Sequence, residues 1–240
     1  MLRCPILRSP RIAQMFLVLC VSISALALLP AQQNEIERLD IAIQENPESA
    51  YAYQQRGIAH FMNGSFSNAI ADFDRVIQLI PEQEARHWQR GIAYYYSGEY
   101  EKGVAQFELH QSVNSQDVEN AVWHFICKAK VDGLEIARQS LIPIKYDSRP
   151  PMMEIWTLFA GAETPEGVLK AARQPGPSGR PTRQSMCYAH LYLGLYYEVA
   201  EQPSLAKRHI DLAANEYSMD NYMGRVAKLH SSLLENRSIQ

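Results

Sequence analysis

The chain is short of the groups on which most enzymes and metal proteins are built. It has four cysteines in 240 residues, and two of them, Cys4 and Cys20, lie among the first 31. The remaining Cys127 and Cys187 have no CxxC spacing, which excludes a disulfide framework and a thiolate zinc site. Both fall in helical patterns and read as small buried hydrophobes, with a single disulfide between them left open. There is no HExxH, GxSxG, P-loop or GxGxxG. Gly176, Ser178 and Gly179 stand in a proline-rich stretch, not between a strand and a helix, so they do not read as a phosphate cradle. No basic block or stripe is present and the formal net charge is -3, which argues against a nucleic-acid partner. No cofactor or metal is expected. His124 and Cys127 are three apart on one helical face, but two ligands do not close a metal site. They read as a core pair, and His190, His209 and His230 read as ordinary structural residues.

What is present begins with a leader. Arg3, Arg8 and Arg11 precede an apolar run at 15–29, followed by Pro30 and Ala31. That order describes a secretory signal over residues 1–31, and the run is short of the roughly 20 apolar residues of a membrane span. Ala25 and Ala27 satisfy the small-x-small rule for cleavage after Ala27; an uncleaved signal anchor is the other reading. A lipid-modified Cys20 fits poorly, because Leu19 before it is large. The protein is therefore expected to be exported, to a periplasm, a cell envelope or the medium, with a membrane reached only through this segment.

Residues 32–236 carry an internal repeat. QRGIAHFMNGSFSNAIADFD at 55–74 superposes on QRGIAYYYSGEYEKGVAQFE at 89–108 with an offset of 34. The offset places Gly57 on Gly91, Ala59 on Ala93, Gly64 on Gly98 and Phe73 on Phe107, and Pro47 and Pro81 are 34 apart as well. Gly57 and Gly91 leave room for a second helix to approach, and Gly64 and Gly98 suit a turn of positive φ. Ala69 and Phe73 share the helical face that packs back on the first helix.

This pattern resembles the tetratricopeptide repeat (TPR), a helix-turn-helix unit of 34 residues. Its positions are filled by Tyr53, Gly57, His60, Ala69, Phe73, Val76 and Pro81 in the first repeat, at about 50–83. In the second, at about 84–117, they are filled by Gly91, Tyr94, Gly103 and Phe107, with Ser115 in place of the closing proline and His110 at the last small position. A third returns at about 187–218, with Gly194, Tyr197, Ala206 and Ala213, and Ile210 at the aromatic position. Degenerate pairs are expected at about 118–173, where Phe125 replaces the glycine and Thr164-Pro165 reads as a helix start. A single helix at 34–46 precedes the array, a loop at 174–185 is the only clear insertion, and a capping helix closes it at about 220–235. The expected fold is thus all-α, a TPR solenoid wound as a right-handed superhelix behind a signal segment. Within that class the layout is similar to small envelope TPR lipoproteins of the NlpI kind, through the stretch Tyr192-Leu193-Gly194-Leu195-Tyr196-Tyr197.

The resemblance implies a non-enzymatic scaffold that holds a protein or peptide in a concave groove. The first helix of each pair would line it, through Tyr51, Gln54, Ile58, Phe61 and Met62, then Ala85, Trp88, Ile92, Tyr95 and Tyr96, then Tyr188, Leu191, Leu195, Glu198 and Val199. Tyr51, Phe61, Trp88, Tyr95 and Tyr96 are the expected contacts. The Lys and Asn clamp of chaperone-binding TPRs is missing, and an apolar groove suits an amphipathic helix or an extended peptide. Two occupants remain open, a partner or the chain's own terminal helix. Docking into an envelope assembly through the convex face or the 174–185 loop is the alternative function.

Overall fold

The computed structural model describes residues 34–175 and 182–237. The expected signal segment lies outside the described residues, as do residues 176–181, half of the proline-rich loop. Among the described residues all regular structure is helical. Residues 34–45 form α1. Five helix-turn-helix pairs follow: α2 (Ala50–Met62) with α3 (Phe66–Leu79), α4 (Trp88–Ser97) with α5 (Tyr100–Gln111), α6 (Val118–Asp132) with α7 (Leu134–Gln139), α8 (Met152–Phe159) with α9 (Pro165–Ala172), and α10 (Arg183–Val199) with α11 (Pro203–Asp211). A π-helical stretch, Leu212–Glu216, extends α11, and α12 (Tyr222–Arg237) ends the array. The architecture is consistent with a TPR-like solenoid.

Local chemistry sets these boundaries. The Ser49, Asp117, Thr164 and Thr182 side chains each accept a backbone N–H in the first turn of α2, α6, α9 and α10. Pro165 and Pro203 occupy early helical positions, where a missing N–H costs nothing. Gly64 and Gly98 turn the chain between paired helices at φ of 76° and 81°, in the left-handed region that favours glycine.

Each regular pair closes on one glycine. A Cβ on Gly57 would stand 2.5 Å from Phe73 Cε1, one on Gly91 2.7 Å from Phe107 Cζ, and one on Gly194 2.6 Å from Ile210 Cδ1. The crossing leaves Phe73, Phe107 and Ile210 essentially without exposure. Burying each such side chain is worth about 1.5–3 kcal/mol. A polar ladder runs beside these contacts at the same 34-residue period. Arg56 Nη1 donates to Asp40 (2.7 Å), Arg90 Nη1 to Asp74 (2.8 Å), and His124 Nε2 lies 3.4 Å from Glu108. Arg56 and Arg90 also reach forward, to Asp72 at 2.6 Å and Gln106 at 2.8 Å.

Three features depart from the sequence reading. Residues 81–86 form a 3-10 turn headed by Pro81, so α4 starts only at Trp88 and Ala85 stands outside it. The 174–185 insertion is not alone, since 141–151 is also non-helical. Pro143, Pro150 and Pro151 deny that stretch a helix, Ile142 and Ile144 are buried, and Trp156 Nε1 donates to Ile142 O at 2.9 Å. The cap on Thr182 begins α10 at Arg183, inside the stretch read as loop.

Candidate partner-binding site

The first helices of the regular pairs carry the aromatic positions picked out by the repeat. Phe61, Met62, Ile92 and Tyr95 are buried; Gln54, Ile58, Trp88 and Tyr96 are half-buried; Tyr51 is 74% exposed in the first turn of α2. At Phe61, Trp88 and Tyr96 the covering element is α12. The Tyr222 ring stacks on Phe61 (centroids 5.8 Å apart, planes at 20°) and meets Trp88 edge-on at 4.9 Å. About two helical turns further along α12, the Tyr96 hydroxyl is 2.9 Å from His230 Nδ1, and His230 Nε2 is 3.0 Å from Glu198. His230 thus has a carboxylate neighbour that no repeat spacing signals, unlike His124, whose partner Glu108 follows the 34-residue period. The Tyr96–His230 pairing spans 134 residues, beyond the reach of any local pattern. The C-terminal helix therefore covers the Phe61–Tyr96 part of the face. Burial pushes the Tyr95 and Tyr222 phenols well above their usual titration range, so both stay protonated.

The rest of the face stays open. A cavity of about 560 Å³ lies between α4, α5, α6, α10 and the start of α12. Trp88, Ile92, Phe107 and Trp123 form its apolar side; Asn114, Asn120 and Asn221 stand on its polar side with Asp117 and Glu119. Of the residues picked out by the repeat, Trp88, Ile92 and Tyr188 line this cavity, and the others do not. Trp123 and Asn120 were missed as site residues because Phe125 breaks the glycine pattern in α6. Carrying the 34-residue step from Ala85 would have reached Glu119, which does line the cavity.

A partly buried ionic cluster shapes the polar side. Arg149 donates to Asp117 (3.2 Å), Glu119 (2.6 Å) and Asp147 (2.6 Å), and Tyr192 OH donates to Glu119 Oε2 at 2.7 Å. Burial pushes the Glu119 carboxyl above its usual range, against the pull of Tyr192 and Arg149. Among the described residues no group of three or more His, Cys, Asp or Glu is placed to hold a metal. Cys127 and Cys187 are free and buried, and burial raises the Cys187 thiol to about 11, far from a reactive thiolate at neutral pH. No helix of the described residues is long and apolar enough to cross a membrane.

No family model matches the chain, and no curated protein matches it. Among solved structures, one described as the MamA RS-1 ArsTM double mutant aligns over 90% of this chain and 94% of that chain, with 15% identity and a TM-score of 0.46. At that distance the likeness carries no argument; the helix-turn-helix register rests on this chain's own contacts.

Proposed function

We propose that the protein is a non-enzymatic interaction scaffold of the cell envelope that holds a segment of a partner protein in the open part of its concave face. The observation that carries this reading is the cavity itself. Its volume lies within the roughly 300–1,000 Å³ of typical ligand pockets, and it joins apolar aromatic walls to a few convergent polar groups. Trp and Tyr are frequent interface anchors, and Trp88 and Trp123 line the cavity. The placement in the envelope rests on the composition of residues 1–31 alone.

A photoreactive residue at Val113, on the cavity wall, tests the reading beside one at Glu101, which is exposed on α5 and outside the lining. Irradiation of the full chain in its own cells should join a partner protein at Val113 and not at Glu101. Products from Glu101 alone, or Val113 products that join the chain only to itself, would move the interface off this face.

A further inference from the structure

We propose that the cavity reads a basic side chain, a lysine or arginine, carried by the partner segment. The inference rests on the scaffold reading of this face and names the chemistry of what it holds.

Charge comes first. Asp117 and Glu119 line the cavity, and with Asp147 they share the one guanidinium of Arg149. Three carboxylates against one cation leave the cluster negative, and Arg86, which also lines the cavity, offsets only part of that. In a recess partly shielded from water, such an imbalance attracts a cation more strongly than the same charges would on an open surface.

Hydrogen bonding points the same way. Asn120 is 3% exposed, and its Nδ2 donates to Phe107 O (3.1 Å) and toward Gln111 Oε1 (3.4 Å). Those bonds fix the amide's orientation and leave Oδ1, the acceptor, without a donor. A buried acceptor beside net negative charge calls for a positively charged N–H. The Trp123 indole N–H lacks an acceptor, and a carbonyl of the segment bearing the basic residue would supply one. The half-buried Trp88 ring adds an aromatic face, where a guanidinium or ammonium gains from the ring quadrupole.

The test uses the full chain with N-acetyl-arginine methylamide and its neutral isostere N-acetyl-citrulline methylamide, followed by NMR at the indole N–H signals. Of the three tryptophans, Trp156 is an internal control, because its Nε1 is bonded to Ile142 O outside the cavity. The arginine probe should shift Trp88 and Trp123 but not Trp156, and bind at least about fivefold tighter than the citrulline probe. Val113→Lys, at a 39% exposed position on the cavity wall, should abolish binding. Arg86→Glu, at an exposed position, should tighten it about threefold or more. Equal binding of the two probes, no shift at either cavity tryptophan, or binding indifferent to Val113→Lys would each overturn the proposal. A partner cross-linked at Val113 without any preference for the arginine probe would keep the scaffold and remove the basic-residue pocket.

Discussion

Between α2 and α5 each helix pair closes on a glycine, and the aromatic ring opposite fills the space it leaves. In the α6–α7 pair the equivalent position is Phe125, whose ring packs edge-on against Phe159 of α8 at 5.0 Å. The regular pairs are thus closed by contacts within themselves. The middle pair relies on its neighbour, with α7 only six residues long and an extended stretch, 141–151, laid against it. The ladder shows the same change. Arg56 and Arg90 each bridge two helices, whereas His124 at the third rung meets only Glu108, and Arg149 holds the middle from outside the period. A repeat can lose its defining glycine and keep its place in the array when another element supplies the missing contacts.

The largest expected effect comes from emptying the two kinds of crossing. Phe107→Ala and Phe125→Ala both delete a ring that is at most 1% exposed, and each should lower the unfolding free energy by about 3–5 kcal/mol in urea titrations. The difference lies in coupling. Gly91→Ala alone should cost about 1–3 kcal/mol through its clash with Phe107, and much less when Phe107 is already Ala. Additive losses in that double-mutant cycle would show that the glycine-ring contact does not hold the pair together.

The polar ladder gives the next effect. Arg56→Met leaves Asp72, whose side chain is 6% exposed, without its guanidinium, and should cost about 2–3 kcal/mol. Arg149→Met should differ in its pH dependence. In the native protein burial pushes Asp147 up, but the Arg149 hydrogen bonds outweigh it and hold the carboxyl below its usual range. That group stabilises above the unfolded carboxylate range and loses its contribution as pH falls through its folded value. Without Arg149, Asp147 and Glu119 lose the guanidinium that lowers both carboxyls and their folded values rise, so the variant should regain stability on mild acidification. A variant with no such recovery would mean that water replaces the guanidinium.

Legibility follows the same division. The offset of 34 made the glycine-ring contacts visible because both partners sit at fixed positions of one short unit, such as Gly57 with Phe73. The ladder is written in the same period, at Asp40, Asp74 and Glu108, but Asp40, the partner of Arg56, lies before the superposed stretches 55–74 and 89–108, and His124, the partner of Glu108, lies beyond them. The cavity was legible in part. Trp88 and Ile92 fall on the repeat, but Asn120 and Trp123 belong to a pair whose helix presents a different face. The seat of α12 on Phe61 and Trp88 joins residues more than a hundred positions apart, and only the curvature of the whole array decides it.

Protonation separates regions more weakly. Burial, reinforced by Arg90, lowers His87 to about 4; burial, reinforced by His209, lowers His190 to about 4. His190 Nδ1 lies 2.9 Å from His209 Nδ1, a bond that needs one donor and one acceptor and so fails once both rings are charged. Unfolded histidine titrates near 6.5, so the unfolded chain binds protons first and stability should fall as pH drops from about 6.5 toward 4. His87→Gln should remove part of that slope in the regular half and His190→Gln part of it in the α10–α11 pair, read from urea midpoints across the window. A flat profile in the parent protein would place these rings in water.

The smallest effect is expected at Tyr51, and it bears most directly on where the regular half stops serving as a binding face. The residue fits the groove position of the repeat, yet it is 74% exposed and lies outside the cavity. An exposed ring with few neighbours contributes little, so Tyr51→Ala should change unfolding free energy by no more than about 0.5 kcal/mol. It should also leave the yield of partner cross-linked at Val113 unchanged, because α12 covers the face between Tyr51 and the cavity at Phe61 and Trp88. A reduced yield with unchanged stability would show that the partner segment runs past α12 onto the first turn of α2, and that the regular half is as much a part of the site as the middle.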